Sequence, residues 1–489
     1  MTDKVSLGKL STGISGLDIL LGGGLTEYAF TLIAGAPGSG KTTLAHQIMF
    51  ALANPDRKAL FFTVLGEPPL KMLRYQQQFA FFDIAKVGPS IRYVNLAEDL
   101  RSGDFSTVLE RIMAEVEAFS PSLVFVDSFR SVVQTRRSGT EGLADLQYFV
   151  QELGSRMATW QATTFLIGEY TPADVEANPI ITVADGMLAL SQAHEGNAVV
   201  RKIRVVKMRG QAHMEGTHTL RITDEGIRIY PRMLPPLAED RIAGVAVEHD
   251  PQRIPTGVTG LDDLLGGGLP TGHTMLVSGP TGVGKTILAT QFLQAGVARG
   301  EKGVAVVFEK GTARLRNAEF ARMVQNGDVQ VVESRSLSMS VEELMDAMTE
   351  AIERTGARRV VIDSLSELGL YLAPEFRDEL RVTVFRALVA LAKRGVTAVV
   401  TVGIKDEFTH LAFSYDGLAF LTDAVVAMRY AEIGGRLRQF VTVVKVRGCA
   451  HSRELREFAI TDRGIEIGPL ATAYEGVLSG WPARAVDRS

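Results

Sequence analysis

The chain has a single cysteine, Cys449, in 489 residues, which excludes an intramolecular disulfide and a cysteine-built zinc site and fits a reducing compartment. Long apolar runs are missing. None approaches the roughly 18 to 20 residues that a membrane helix needs, and Met1 to Gly13 has no apolar signal-peptide core. A cytoplasmic protein without membrane contact is the expectation. Neither charge is in large excess. Fifty-two Lys and Arg against 56 Asp and Glu leave a formal net charge of −4, which disfavours a surface built to hold a nucleic-acid backbone but is compatible with a local basic channel. With 46% hydrophobic and 22% charged residues, the composition excludes disordered and fibrous classes. The length suits two domains of roughly 200 to 250 residues, each able to bury a full core.

What is present is duplicated. Two phosphate-binding loops occur, Gly35-Ala36-Pro37-Gly38-Ser39-Gly40-Lys41-Thr42 and Gly279-Pro280-Thr281-Gly282-Val283-Gly284-Lys285-Thr286. Thr12-Gly13-Ile14-Ser15-Gly16-Leu17-Asp18 and Gly22-Gly23-Gly24 precede the first; Thr256-Gly257-Val258-Thr259-Gly260-Leu261-Asp262 and Gly266-Gly267-Gly268 precede the second. The two lysines are offset by 285 − 41 = 244, as are Gly13 and Gly257. One match could be a chance turn in a chain with 48 glycines; two at one offset with shared flanks are not. The glycines let consecutive N–H groups turn toward phosphates, Lys41 and Lys285 reach the β and γ phosphates, and Thr42 and Thr286 offer hydroxyls to Mg²⁺. The expected ATP-binding positions are Gly38, Ser39, Gly40, Lys41, Thr42 and Thr43, and Thr281, Gly282, Val283, Gly284, Lys285, Thr286 and Ile287.

In the first half, apolar runs predict strands at Phe30 to Ala34, Ala59 to Val64, Leu123 to Val126, Thr163 to Ile167, Met187 to Leu190 and Ile203 to Lys207. Helical patterns at Thr42 to Ala53, Phe105 to Ala118 and Leu143 to Trp160 lie between the earlier strands. The second half repeats the order, with strands at Thr274 to Val277, Gly303 to Phe308, Val360 to Ile362, Thr397 to Val402, Ala424 to Met428 and Phe440 to Lys445. Ser340 and Glu343 spell a capping box for a helix at Val341 to Thr355. The alternation implies an α/β fold of two tandem RecA-like P-loop domains, each a mainly parallel twisted sheet flanked by helices. The expected boundaries are a first domain at 1–230, a proline-punctuated linker at 231–253, a second domain at 254–470 and a tail at 471–489, mobile at its end.

A phosphate loop needs an acid for the magnesium shell at the end of a neighbouring strand. Asp127 and Asp363 each end an apolar run in an Asp-Ser step; either alone would be commonplace, whereas the repetition beside a loop points to function. Hydrolysis also needs a carboxylate that orients the attacking water. Glu309 follows the strand in the second half, where it is also a candidate for the metal shell; in the first half the nearest carboxylate, Glu67, is displaced by two positions. Such a shift keeps the strand face but moves the group by roughly 6 to 7 Å. Late in each half stand Lys207-Met208-Arg209-Gly210 with His213, and Lys445-Val446-Arg447-Gly448 with His451. A lysine and an arginine at i and i+2 of a strand project to one face, where they could meet a triphosphate or be two solvated cations on an edge strand. The histidines have no metal-ligand partners nearby in the sequence.

These features together resemble the KaiC family of double-domain RecA-like ATPases, known from the cyanobacterial circadian clock, over about Leu10 to Gly480. The resemblance implies a homohexameric ring of two tiers with ATP between neighbours and the K-x-R pair supplied by the adjacent subunit. It implies that Lys207, Met208, Arg209, Gln211 and His213 touch nucleotide in the first tier, and Lys445, Arg447 and Arg453 in the second. The chain departs from the clock type twice. The paired glutamates after the strand fall on Leu65-Gly66 and Glu309-Lys310, and the phosphoacceptor pair before Thr422-Asp423 falls on Ala419-Phe420. Thr409, Ser414 and Thr422 are nearby hydroxyls, a common feature of ordinary loops.

An ATP-hydrolysing ring whose nucleotide state sets its shape for a signalling or clock partner is the leading expectation. The alternatives are a Ser/Thr autokinase in the second half, a DNA-dependent RecA or helicase-like motor, and a binding module in which ATP is structural, a reading that suits the first half above all. Arg136-Arg137 and Arg358-Arg359 are no nucleic-acid stripe, since no aromatic residues interleave them. Lys41→Ala and Lys285→Ala should each abolish phosphate release from their own half, and turnover assays on the two variants separately assign the total rate to each.

Overall fold

The computed structural model describes residues 8–63, 69–101, 105–127, 140–169, 183–195, 198–232, 252–308, 318–333, 340–366, 368, 380–404, 419–472, 474–477 and 483–484. The chain divides into two compact units, Met1–Arg232 and Met233–Ser489. The first contains β1 (Phe30–Gly35), α1 (Lys41–Leu52), β2 (Ala59–Thr63), β3 (Ile91–Asn95), α2 (Phe105–Phe119), β4 (Leu123–Asp127), α3 (Thr140–Thr159), β5 (Thr163–Glu169), β6 (Gly186–Glu195), β7 (Ala198–Met208), β8 (Thr217–Thr223) and β9 (Gly226–Tyr230). They form one sheet in the order β9-β8-β7-β6-β1-β5-β4-β2-β3. From β3 to β6 neighbouring strands are parallel, and from β6 to β9 they are antiparallel.

Burial on both faces explains the unbroken apolar runs of the central strands. Ile33, Phe61, Phe125 and Phe165 face Leu44, Ile48 and Met49 of α1. On the other face Leu32, Phe62 and Val124 pack with Val108, Ile112 and Val116 of α2 and Phe149 and Leu153 of α3.

The second unit repeats the plan with β10 (Thr274–Gly279), α4 (Lys285–Val297), β11 (Gly303–Val307), β12 (Val329–Glu333), α5 (Val341–Thr355), β13 (Arg359–Asp363), α6 (Leu380–Lys393), β14 (Thr397–Gly403), β15 (Ala424–Ile433), β16 (Arg436–Val446), β17 (Leu455–Thr461) and β18 (Gly464–Leu470). Its sheet runs β12-β11-β13-β14-β10-β15-β16-β17-β18, the first order read from the opposite edge. The capping box of α5 forms: Ser340 Oγ accepts from Glu343 N at 3.2 Å, and Glu343 accepts from Ser340 N at 2.7 Å.

The structure adds what the apolar runs do not predict. β3, β8 and β9, with β12, β17 and β18, lie toward the sheet edges; β17 buries only Phe458. β8 and β17 carry little apolar signal because few of their covered residues are apolar, whereas Ile227 and Ile229 of β9 are buried in the core. The segment expected as linker already contributes structure at its end. Arg253–Ile254 pairs with Leu269–Pro270, and Arg253 donates to the carbonyls of Leu265 at 2.7 Å and Gly268 at 2.9 Å. Nor is all of the expected tail loose: Tyr474–Glu475 pairs with Ala483–Arg484, and Val477 packs with Ala431 and Phe440.

The helices after the two loops differ inside. His46 on α1 is fully buried, its Nδ1 2.7 Å from the Thr42 carbonyl and its ring stacked 4.4 Å from Phe61. Thr290 holds the matching place on α4. Burial pushes the imidazole down to about 4, against a slight rise from the Thr42 carbonyl. The unfolded chain therefore binds a proton that the folded unit refuses between about pH 6.5 and pH 4, and stability falls as pH drops through that window by up to about 3 kcal/mol. His46→Thr should flatten this part of the acid dependence in unfolding curves taken across that pH range; an unaltered dependence would refute the assignment.

Candidate functional site

Each loop begins at the C-terminal end of the central strand and ends on a helix without a side-chain cap. Gly40 and Gly284 are the N-cap residues, with φ of 103° and 108°, a conformation that a side chain would strain. The uncapped first turn leaves amide donors for an anion, and the helix dipole favours one there. An added Cβ at Gly40 would also lie 2.8 Å from Ile222 Cδ1, and one at Gly284 3.0 Å from Ile460 Cδ1. The β8–β9 and β17–β18 hairpins thus lie against the loops through yielding isoleucine ends, and it is the positive φ that makes a side chain costly at either position.

In the first unit Thr42 Oγ1 donates to Asp127 Oδ2 at 2.7 Å, and Lys41 Nζ donates to the Ala36 carbonyl at 2.9 Å. In the second, Thr286 Oγ1 donates to Asp363 Oδ2 at 2.8 Å, and Lys285 Nζ donates to the carbonyls of Gly279 and Pro280, both at 2.8 Å. Thr401 adds a second hydroxyl donor to Asp363, where the first unit has Ile167. Lys41 is nearly buried, which lowers its pKa, while Glu169 and then Asp127 act to raise it. A lysine so desolvated gains most from a phosphate charge.

Lys41, Thr42, Thr43, Tyr75, Asp127 and Glu169 line a cavity of about 370 Å³ over the first loop, a size within the usual range for small-molecule sites. A nucleotide triphosphate fits it by chemistry: backbone donors and a lysine at the loop, with apolar Met72 and Ile222 also on the wall. Among the described residues no three His, Cys, Asp or Glu converge on a metal site. One hydroxyl and one carboxylate per loop suit a Mg²⁺ ion that keeps waters and takes phosphate oxygens as further ligands.

Other predicted residues lie elsewhere. Ser39 and Val283 are fully buried beneath their loops, so only their backbone can face a phosphate. Gly38 and Gly282 turn with φ of 77° and 83°; Thr281 is exposed, and Ile287 is partly buried against the core. Glu67 and Glu309 lie outside the described residues, as do Thr409 and Ser414.

The K-x-R pairs stand at the far end of each sheet. β7 runs back along β6, bringing Lys207 opposite Met187 while Leu190, not Met187, is level with Gly35 of the loop. Arg209 lies beyond β7. Its N donates to the Asp185 carbonyl at 2.8 Å, and its Nη1 is 3.1 Å from Asp185 Oδ1. Asp185 Oδ2 in turn accepts from Phe30 N at 3.1 Å, at the start of β1. From Phe30 to Gly35 is five residues of strand, about 16 Å. Arg447, Asp423 and Thr274 repeat this arrangement in the second unit.

Lys207 donates to the Ala184 carbonyl at 2.6 Å, and Lys445 to that of Ala419 at 2.9 Å. Burial lowers both lysine pKa values; the neighbouring Arg209 or Arg447 lowers them further, against Asp185 or Asp423. Two cations held this close favour an anion between them. Met208 does not share their exposure: its side chain joins the core, because residue i+1 of a strand points to the opposite face. Gln211 donates to the carbonyls of Leu21 at 2.7 Å and Gly24 at 3.0 Å, tying the triple glycine to this end of the sheet. His213 is half-buried and Arg453 exposed.

Sequence reasoning passed over Glu169, Tyr75, Met72 and Ile222. Glu169 extends β5 past its apolar run, a signal visible only as a carboxylate ending a strand.

A family model described as the KaiC ATPase matches residues 10–233 and 254–472. The circadian clock oscillator protein KaiC of Picosynechococcus sp. is 29% identical, covering 98% of this chain and 93% of its own length. The protein of that name from Synechococcus elongatus is 28% identical over 99% and 93%, and KaiC 1 of Synechocystis sp. 28% over 97% and 92%.

Gly40→Ala should remove the first nucleotide and spare the second, so bound nucleotide counted after gel filtration drops from about two to about one per chain.

Proposed function

This chain belongs to the KaiC family of ATPases, and on that footing we propose that it hydrolyses ATP at the interfaces of a two-tier homohexameric ring. The separation of loop and K-x-R pair carries this proposal. Within one unit they are at opposite ends of the central strand, about 16 Å apart along it, so one triphosphate meets both only when a neighbour supplies the second. A head-to-tail contact that closes on itself makes a ring.

In each site, Lys41 or Lys285 moves from the loop carbonyls onto the β and γ phosphates, the loop amides hold the chain of phosphates, and the neighbour's Lys207 and Arg209, or Lys445 and Arg447, neutralise charge that develops on the γ phosphate. Mg²⁺, placed by Thr42 and Asp127 or by Thr286 and Asp363, would supply further neutralisation of phosphate charge. Glu309 orients water in the second site and stands close enough in sequence to its strand to join the metal shell. Hydrolysis then changes contacts at the interface, which gives a signalling or clock partner a shape to read. The cytoplasm suits such a protein; among the described residues no helix is long and apolar enough to cross a membrane.

Among the described residues of the second unit nothing favours the autokinase alternative. The acceptor positions are Ala419 and Phe420, and Thr422 is buried with its hydroxyl 3.4 Å from the Ala419 carbonyl. The balanced charge disfavours the DNA-dependent motor.

The interfacial arrangement is tested by mixing. In a Lys41→Ala background that silences the first site, Lys285→Ala and Arg447→Ala chains should each be inactive alone. Mixed in equal amounts and reassembled, they should recover about a quarter of the interfaces, where an intact loop meets an intact arginine. No recovery would mean that Arg447 acts within its own chain, and an Arg447→Ala chain active by itself would mean that it takes no part.

A further inference from the structure

The two sites are unequal in their carboxylates. Glu309 follows β11 in the second unit, while the matching positions after β2 hold Leu65 and Gly66. A carboxylate nevertheless reaches the first cavity from another strand. Glu169 is the last residue of β5, in register with Gly35, where the loop begins. β5 lies between β1, which carries the loop, and β4, which ends in Asp127. Phe165, Ile167 and Phe125 all pack on the α1 face. By alternation Glu169 and Asp127 share that face, the one from which Thr42 reaches Asp127. Ile167 is level with Asp127, so Glu169 stands two residues further, about 7 Å along the strand toward the loop opening.

Glu169 lines the cavity together with Lys41, Thr42 and Asp127. Its influence on Lys41 exceeds that of Asp127, which agrees with a carboxylate turned toward the phosphate end. The second unit has Gly403 at this place, in register with Gly279. The two sites therefore differ in where the matched positions hold a carboxylate: Glu309 after β11 and Gly403 ending β14 in the second unit, Leu65 after β2 and Glu169 ending β5 in the first.

We propose that Glu169 is the catalytic carboxylate of the first site, a duty that the strand after the loop helix carries in the second. It orients a water molecule and takes its proton as the water oxygen bonds to the γ phosphorus. The bond from that phosphorus to the β–γ bridging oxygen breaks, and ADP leaves with the electron pair. The inference rests on the ATPase assignment proposed above.

Phosphate release is measured from the full chain carrying Lys285→Ala, so that turnover comes from the first site. Adding Glu169→Gln should lower kcat at least about 100-fold, while KM and the affinity for a fluorescent ATP analogue stay within about twofold. Undiminished release from Glu169→Gln overturns the proposal; a loss in Glu67→Gln would then place the carboxylate there. A fall in nucleotide affinity that accounts for the lost turnover also overturns it, by making Glu169 a support for Lys41. If the Lys285→Ala parent itself releases no phosphate, the ATPase assignment fails for the first site, an outcome distinct from an active parent that ignores Glu169→Gln.

Discussion

Asp185 and Asp423 hold the start of each central strand to the arginine that follows the returning strand. Asp185 bonds Phe30 N through its carboxylate and Arg209 N through its carbonyl, and Asp423 bonds Thr274 N and Arg447 N in the same two ways. This clamp pins the K-x-R pair at one end of a strand whose other end carries the phosphate loop. A strand cannot bend its ends together, so the functional halves of one unit are kept apart. The proposed ring and shared nucleotide follow from that rigidity.

Around this common frame the duplicated units have diverged where divergence is cheap. The Thr-Asp contacts that close the opening segment are kept: Thr12 Oγ1 to Asp18 at 2.7 Å and Thr256 Oγ1 to Asp262 at 2.6 Å. Core positions have changed chemistry. Arg359 starts β13, nearly fully buried, bonded to Glu301 at 2.6 Å and to the carbonyls of Pro255 and Phe292; Leu123 and Arg57 stand at the matching places in the first unit. Among the described residues Arg359 Nη2 is buried without a hydrogen-bond partner, so Glu301 and the two carbonyls offset the cost of burying this guanidinium only in part. Glu169 and Gly403 show the same freedom at the catalytic edge, since a carboxylate can enter one cavity from either of two strands.

Much of this was legible in the residues because the signals are local. The central strands are apolar on both faces, so their runs are nearly continuous and their limits fall within a few residues of those observed. The capping box at Ser340 and Glu343 is spelled by adjacent positions and forms as written. The edge strands were not legible, because Leu220 and Phe458 are almost the only apolar markers that burial demands of β8 and β17. Lys207 and Arg209 were expected to share a strand face, yet the strand ends between them, and their companionship is made by Ala184 and Asp185.

The sequence by itself determined the duplication, the two phosphate loops, their Thr and Asp partners and the α/β class, since each depends on spacing along the chain or on the character of single strands. Only the tertiary structure decided which end of the sheet each motif occupies, that Met208 belongs to the core, and that Glu169 stands beside the first loop. Those facts arise from strand order and register: residues more than a hundred positions apart become neighbours through backbone pairing that no local pattern records.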